Sequence, residues 1–69
     1  MEAVSRLRQR RDELELTQEA LGEMVGVDGM TVSRWERGES LPQRRFWPKL
    51  TQLTGLPIAD IIGNAEPVQ

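Results

Sequence analysis

The side chains of this sequence best equipped for chemistry are its arginines, which fall into three groups. Arg6, Arg8, Arg10 and Arg11 come first, then Arg34 and Arg37, then Arg44 and Arg45 with Lys49 close by. A guanidinium is a planar fork of donors that stays charged at any ordinary pH. It suits the oxygens of a phosphate, or the O6 and N7 edge of guanine. Other chemistry is poorly supplied. The chain has neither Cys nor His, so no zinc or haem site is expected and imidazole-based catalysis is excluded. With no nucleophile motif and no metal-ligand cluster, no enzymatic activity, cofactor or small-molecule ligand is expected. Total charge argues against a nucleic-acid partner: it is −2, with a pI near 5.0, whereas such domains are usually basic. Distribution matters more than the sum, since Asp12, Glu13, Glu15, Glu19 and Glu23 crowd the stretch between the first two arginine groups. A fold that gathers the arginines on one face and these acids on another would suit phosphates; the alternative is an ordinary mixed-charge surface.

Positioning falls to residues 17 to 38, TQEALGEMVGVDGMTVSRWERG, where two amphipathic helical patterns meet at a turn marked by Gly26. The first opens at Thr17, a capping side chain, carries Glu19 at the positive end of the helix dipole, and sets Leu21, Met24 and Val25 on one face. The second opens at Asp28, runs through Val32 and Trp35, and stops at Gly38, which can take the left-handed conformation past a helix end. Gly22 in mid-helix costs about 1 kcal/mol relative to Ala, which implies a packing reason. Two such helices form a helix-turn-helix, although any small helical domain can contain a hairpin of this kind.

Leu16-Thr17-Gln18, then Gly22, then Gly26, then Trp35-Glu36-Arg37-Gly38 carry a closer likeness. In these residues the segment resembles the Cro/CI-type (XRE-like) helix-turn-helix family of phage and bacterial transcriptional regulators. The likeness extends over roughly residues 4 to 63, because Leu7 to Leu14 is similar to the family's first helix. Arg45-Phe46-Trp47-Pro48-Lys49-Leu50 through Leu56, and Ile58 to Gly63, are similar to the last two helices of lambdoid repressor domains. The resemblance implies that Gly29, Met30 and Arg34, with Thr31 close by, meet base edges in the major groove. Arg34 is the best reader, since Met30 or the Thr31 methyl could touch only a thymine methyl. It further implies phosphate contacts for Gln18, at a helix N-terminus, and for Arg45, with Arg44 and Arg37 as neighbours. Some positions depart from the family. Gly29 and Met30 stand where polar readers are frequent, so specificity would lean on DNA shape. Glu15 stands where Gly is frequent after the first helix, and Ala20 at the third helical position leaves the usual capping box unmade.

The remaining pattern completes an all-α fold of five short helices with no strand. At 69 residues the chain is one domain near the small end of what folds on helix packing alone. Residues 1–64 are assigned to the helix-turn-helix domain and residues 65–69 to a flexible tail. Val4, Leu7, Arg11 and Leu14 share a stripe of the first helix, so a charge occupies an apolar position. Arg11 needs a partner, and Glu36, following Trp35, is the candidate; members of the family commonly pair Arg and Glu at the matching positions. The alternative is that Arg11 snorkels to solvent. Glu39 to Gln43 is a connecting loop. Phe46, Leu50 and Leu53 mark a fourth helix starting near Phe46 or Trp47 and ending at Gly55, with Pro48 in its first turn. Pro57 starts a fifth, with Ile58, Ile61 and Ile62 on one side and Gly63-Asn64 closing it.

The sequence reading is therefore a small transcriptional regulator, most simply a repressor, that binds double-stranded DNA. Because one recognition helix spans few base pairs, a homodimer on a palindromic operator is expected, with Ile58, Ala59 and Ile62 as candidate contacts. A cytoplasmic, nucleoid-associated location is expected too, since no apolar run approaches ~18 residues and no signal-peptide core is visible. The competing reading is a protein-interaction module, or an antitoxin-like partner, that keeps the repressor fold.

Overall fold

Three helices begin by one device in the computed structural model, which describes residues 5–62. Ser5, Thr17 and Asp28 each hold extended backbone, and each side-chain oxygen accepts from the N–H three residues on: Arg8 at 3.0 Å, Ala20 at 2.9 Å and Thr31 at 2.8 Å. One otherwise orphaned donor per helix start is thereby satisfied. The helices so opened are α1 (Arg6–Glu13), α2 (Gln18–Val25) and α3 (Gly29–Arg37). A 3-10 turn, Arg44–Phe46, runs directly into α4 (Trp47–Thr54), and α5 (Ile58–Ile62) follows. No strand occurs among the described residues.

Two backbone positions fix how α1, α2 and α3 are arranged. Gly26 closes α2 with φ 105°, and Val27 then bonds back to the Gly22 carbonyl at 2.8 Å, which turns the chain sharply into α3. Glu15 closes the first turn with φ 60°, the left-handed value expected from its place after α1 and unfavourable for a residue with a Cβ. Gly22 has the packing reason its mid-helix place implied: a Cβ there would lie 2.6 Å from the Val27 carbonyl oxygen. Any side chain at Gly22 would push α2 away from the turn.

The core is Leu7, Leu21, Val25, Val32, Trp35, Leu50 and Ile61, ringed by half-buried Leu16, Val27, Phe46, Leu53, Leu56, Ile58 and Ile62. Helix α1 lies against α3, α4 and α5, while α2 and α3 pack mainly on each other. Two expected core positions are corrected. Leu14 is exposed because it is the residue that ends α1, and the left-handed turn at Glu15 brings Leu16 to the core instead. Met24 is also exposed, since the buried stripe of α2 is Leu21, Gly22 and Val25, rotated toward the face that α3 covers. In the other direction, Thr54 is buried. Its hydroxyl donates to the Leu50 carbonyl at 2.7 Å and accepts from the Leu56 N–H at 3.2 Å, so its polarity is spent on closing α4. Val4, the stop at Gly63-Asn64, the domain boundary at 64 and the tail lie outside the described residues.

Candidate nucleic-acid interface

Helix α3 buries one side and exposes the other. Val32 and Trp35 turn inward, while Met30, Arg34 and Arg37 are exposed and Thr31 and Ser33 are half-buried. Gly29 departs from its expected place on the outer face. It is buried, and a Cβ on it would meet the Glu19 side chain at 2.9 Å. The first turn of α2 presses on the start of α3 there, so Gly29 offers no side-chain surface and permits that close approach. Thr31 gives its N–H to the Asp28 carboxylate at 2.8 Å. Hydrogen bonding from Thr31 holds the Asp28 carboxyl below its usual range, with a smaller contribution from the charge of Arg34. Because the folded value is depressed, this cap supports α3 at pH above the ordinary aspartate range and is lost as pH falls through the lowered value.

The rear of α3 is fixed by a buried ion pair. Arg11 Nε and Nη2 donate to the Glu36 carboxylate at 2.5 and 3.2 Å, and Nη1 donates to the Leu16 carbonyl at 2.8 Å. The hydrogen bond that the guanidinium donates to Glu36 outweighs desolvation and raises its pKa further. Gln18 joins the same carboxylate, its Nε2 donating to Glu36 Oε1 at 3.0 Å. The side chain of Gln18 is therefore held half-buried beside α3. The carboxylate on α3 ties α1 to the start of α2, and Arg11 in turn holds the Leu16 turn. No buried side-chain polar atom among the described residues lacks a hydrogen bond.

A second cationic group stands on the 3-10 turn. The Arg45 guanidinium lies 4.8 Å from the centroid of the Phe46 ring, and Arg44 lies 5.7 Å from that of Trp47. Phe46 in turn meets Trp35 in a tilted ring contact at 5.8 Å, so the inner face of α3 holds the platform on which Arg45 sits. The Trp47 indole donates to the Pro42 carbonyl at 3.0 Å and fixes the entry to the turn. These aromatic supports were missed in the sequence, where Phe46 read as part of the apolar face of the fourth helix and Trp47 as a helix-start residue. The alternation of two arginines with two aromatics was the available signal.

The arginines differ in how far acids neutralise them. On α1, Arg6 meets Asp60 at 3.3 Å, Arg8 meets Asp12 at 3.9 Å and Arg10 meets Glu13 at 2.9 Å. Arg37 meets Glu39 at 3.1 Å. Arg34, Arg44 and Arg45 form no salt bridge among the described residues. Lys49 on α4 forms none among them either, so the cations not matched by an acid sit on the outer face of α3, on the turn before α4 and in the first turn of α4.

Residues 2–61 match the family model described as a helix-turn-helix domain. The chain belongs to the helix-turn-helix family. Among its relatives, repressor protein C2 of Salmonella phage P22 is 51% identical over 37 residues, which are 54% of this chain and 17% of that protein. The cryptic phage CTXphi transcriptional repressor RstR of Vibrio cholerae is 32% identical over 62 residues, 90% of this chain and 56% of that protein. The chain thus spans a small part of the first relative and just over half of the second. Both are phage repressors by name, in agreement with the Cro/CI-type character of the motif. No solved structure matches the chain.

Proposed function

We propose that this helix-turn-helix domain binds double-stranded DNA with α3 in the major groove and acts as a transcriptional repressor. The observation that carries the reading is the outer face of α3, where Arg34 is exposed and forms no salt bridge among the described residues, on a helix fixed from behind by Glu36. A rigid helix presenting a free guanidinium fork is what bidentate reading of guanine requires. Met30 and Thr31 supply apolar contact beside it. Arg44 and Arg45 on their aromatic platforms, with Arg37 exchanging Glu39 for phosphate, supply backbone contacts. Gln18 contributes through the N–H groups at the start of α2, since its side chain is engaged by Glu36. No helix among the described residues is long and apolar enough to cross a membrane, and the reading assigns a cytoplasmic, DNA-associated protein with no catalytic step. Two copies on a palindromic operator would meet through α5, where Ala59 is exposed and Ile58 and Ile62 are half-buried.

Selection of binding sites from random duplexes tests the reading, with Arg34→Ala run beside the unaltered chain. The expected result is an enriched site for the unaltered chain and loss of about 1–3 kcal/mol of discrimination at one position in the variant. No enrichment at either of two salt concentrations would replace DNA binding with the protein-interaction reading.

A further inference from the structure

The start of α3 carries a feature that phosphate binding does not explain. A helix N-terminus facing DNA is ordinarily a place for a phosphate, yet here it is bordered by two carboxylates, Asp28 at the cap and Glu19 folded over Gly29. We propose that Asp28 is a specificity-determining residue whose carboxylate accepts a hydrogen bond from the N4 amino group of a cytosine in the major groove. The inference rests on the DNA-binding reading and names one letter of the site that such a domain would select.

Asp28 is exposed and stands two residues before Met30 and six before Arg34, at the N-terminal end of the recognition helix, the end that reaches deepest toward base edges. Its carboxylate has about four acceptor positions, and the Thr31 N–H occupies one of them, on Oδ1, at 2.8 Å. The remaining capacity is oriented, because that capping bond ties the side chain to the start of α3. Hydrogen bonding from Thr31 also favours the ionised form, so the group accepts and does not donate. In the major groove only cytosine N4 and adenine N6 offer donors. Adenine places its N7 acceptor beside N6, where a carboxylate is repelled, whereas cytosine places a C–H there. Guanine O6 and N7 and thymine O4 repel it outright, so the residue selects by exclusion as well as by attraction. Arg34, whose charge is felt at Asp28, complements the choice: a guanidinium reads guanine and a carboxylate reads cytosine, and both favour C·G pairs.

The test is site selection with the unaltered chain, Asp28→Asn and Asp28→Ser, followed by affinities for duplexes carrying each base pair at the position that differs. Asn and Ser both cap helices well, and ratios among four duplexes are insensitive to the fraction of folded protein. The expected result is a C·G preference in the unaltered chain of about tenfold. Asp28→Asn should move it toward A·T, because an amide can pair with adenine N6 and N7 together, and Asp28→Ser should flatten it. Selections that superimpose for all three proteins would overturn the role of Asp28 while leaving DNA binding intact. An unaltered chain that selects no duplex would overturn both.

Discussion

The arginines of α1 and those around α3 are chemically identical and do opposite things. On α1 each is answered by an acid: Arg8 and Arg10 by neighbours on the same helix, Arg6 by α5, and Arg11 by the buried Glu36. Around α3, Arg37 is answered by Glu39, but Arg34 forms no salt bridge among the described residues, and Arg44 and Arg45 rest on aromatic rings that leave their charge uncancelled. The contrast shows why a total of −2 is compatible with an anionic partner. Much of the positive charge that the acids offset belongs to a helix on another side of the domain, so the sum describes the surface of α3 poorly.

The strongest way to break this comparison is inside the molecule. If Arg11 is structural, Arg11→Met and E36L should each lower stability by about 3–5 kcal/mol in chemical denaturation, because each leaves a buried charge unpaired. The double variant should recover part of that loss, and additive losses would show the two charges to be uncoupled. The exposed groups should behave otherwise. Arg45→Ala should leave stability nearly unchanged and make the slope of log affinity against log salt shallower by about 0.9, the value for one phosphate contact. Arg8→Ala, which removes a cation already answered by Asp12, should leave that slope unaltered; equal slopes for the two variants would erase the distinction between the regions. The smallest effect sharpens the boundary of α1. Glu15→Gly relieves the left-handed strain at φ 60° against a gain in unfolded-chain entropy, for a net stabilisation of about 0.5 kcal/mol with no change in the salt slope. A shift in thermal unfolding toward lower temperature would count against it.

What could be read from the sequence was whatever depended on local backbone chemistry. Thr17, Asp28, Gly26 and Gly38 punctuate α2 and α3 by capping and by left-handed geometry, and both are properties of single residues. Arg11 was conspicuous as a charge on an apolar stripe, and Glu36 was nameable because it follows Trp35. Contacts across elements were harder. Gly29 has no side chain with which to announce that Glu19 lies over it. Met24 and Leu21 lie within one turn, and only the position of α3 decides which side of α2 is covered. Gln18 gave no sign that its amide would turn to Glu36 in place of solvent. The 3-10 turn was invisible for a related reason: Arg44 and Arg45 have no turn propensity, and their placement comes from two rings and a carbonyl supplied by other residues.

The hydrogen bond from the Trp47 indole to the Pro42 carbonyl divides the segment after α3 into two stretches under different selective constraint. From Pro42, which is buried, to Trp47 the chain is a closed ring whose length sets where Arg44 and Arg45 stand. Glu39, Ser40 and Leu41 lie outside that ring and are exposed. Extra residues inserted among them would add only closure entropy, about 0.6 kcal/mol for each doubling of the loop. Evolution can therefore lengthen this loop, or graft new sequence into it, without moving the second cationic group relative to the ring, whereas a single residue added between Pro42 and Trp47 would misplace it.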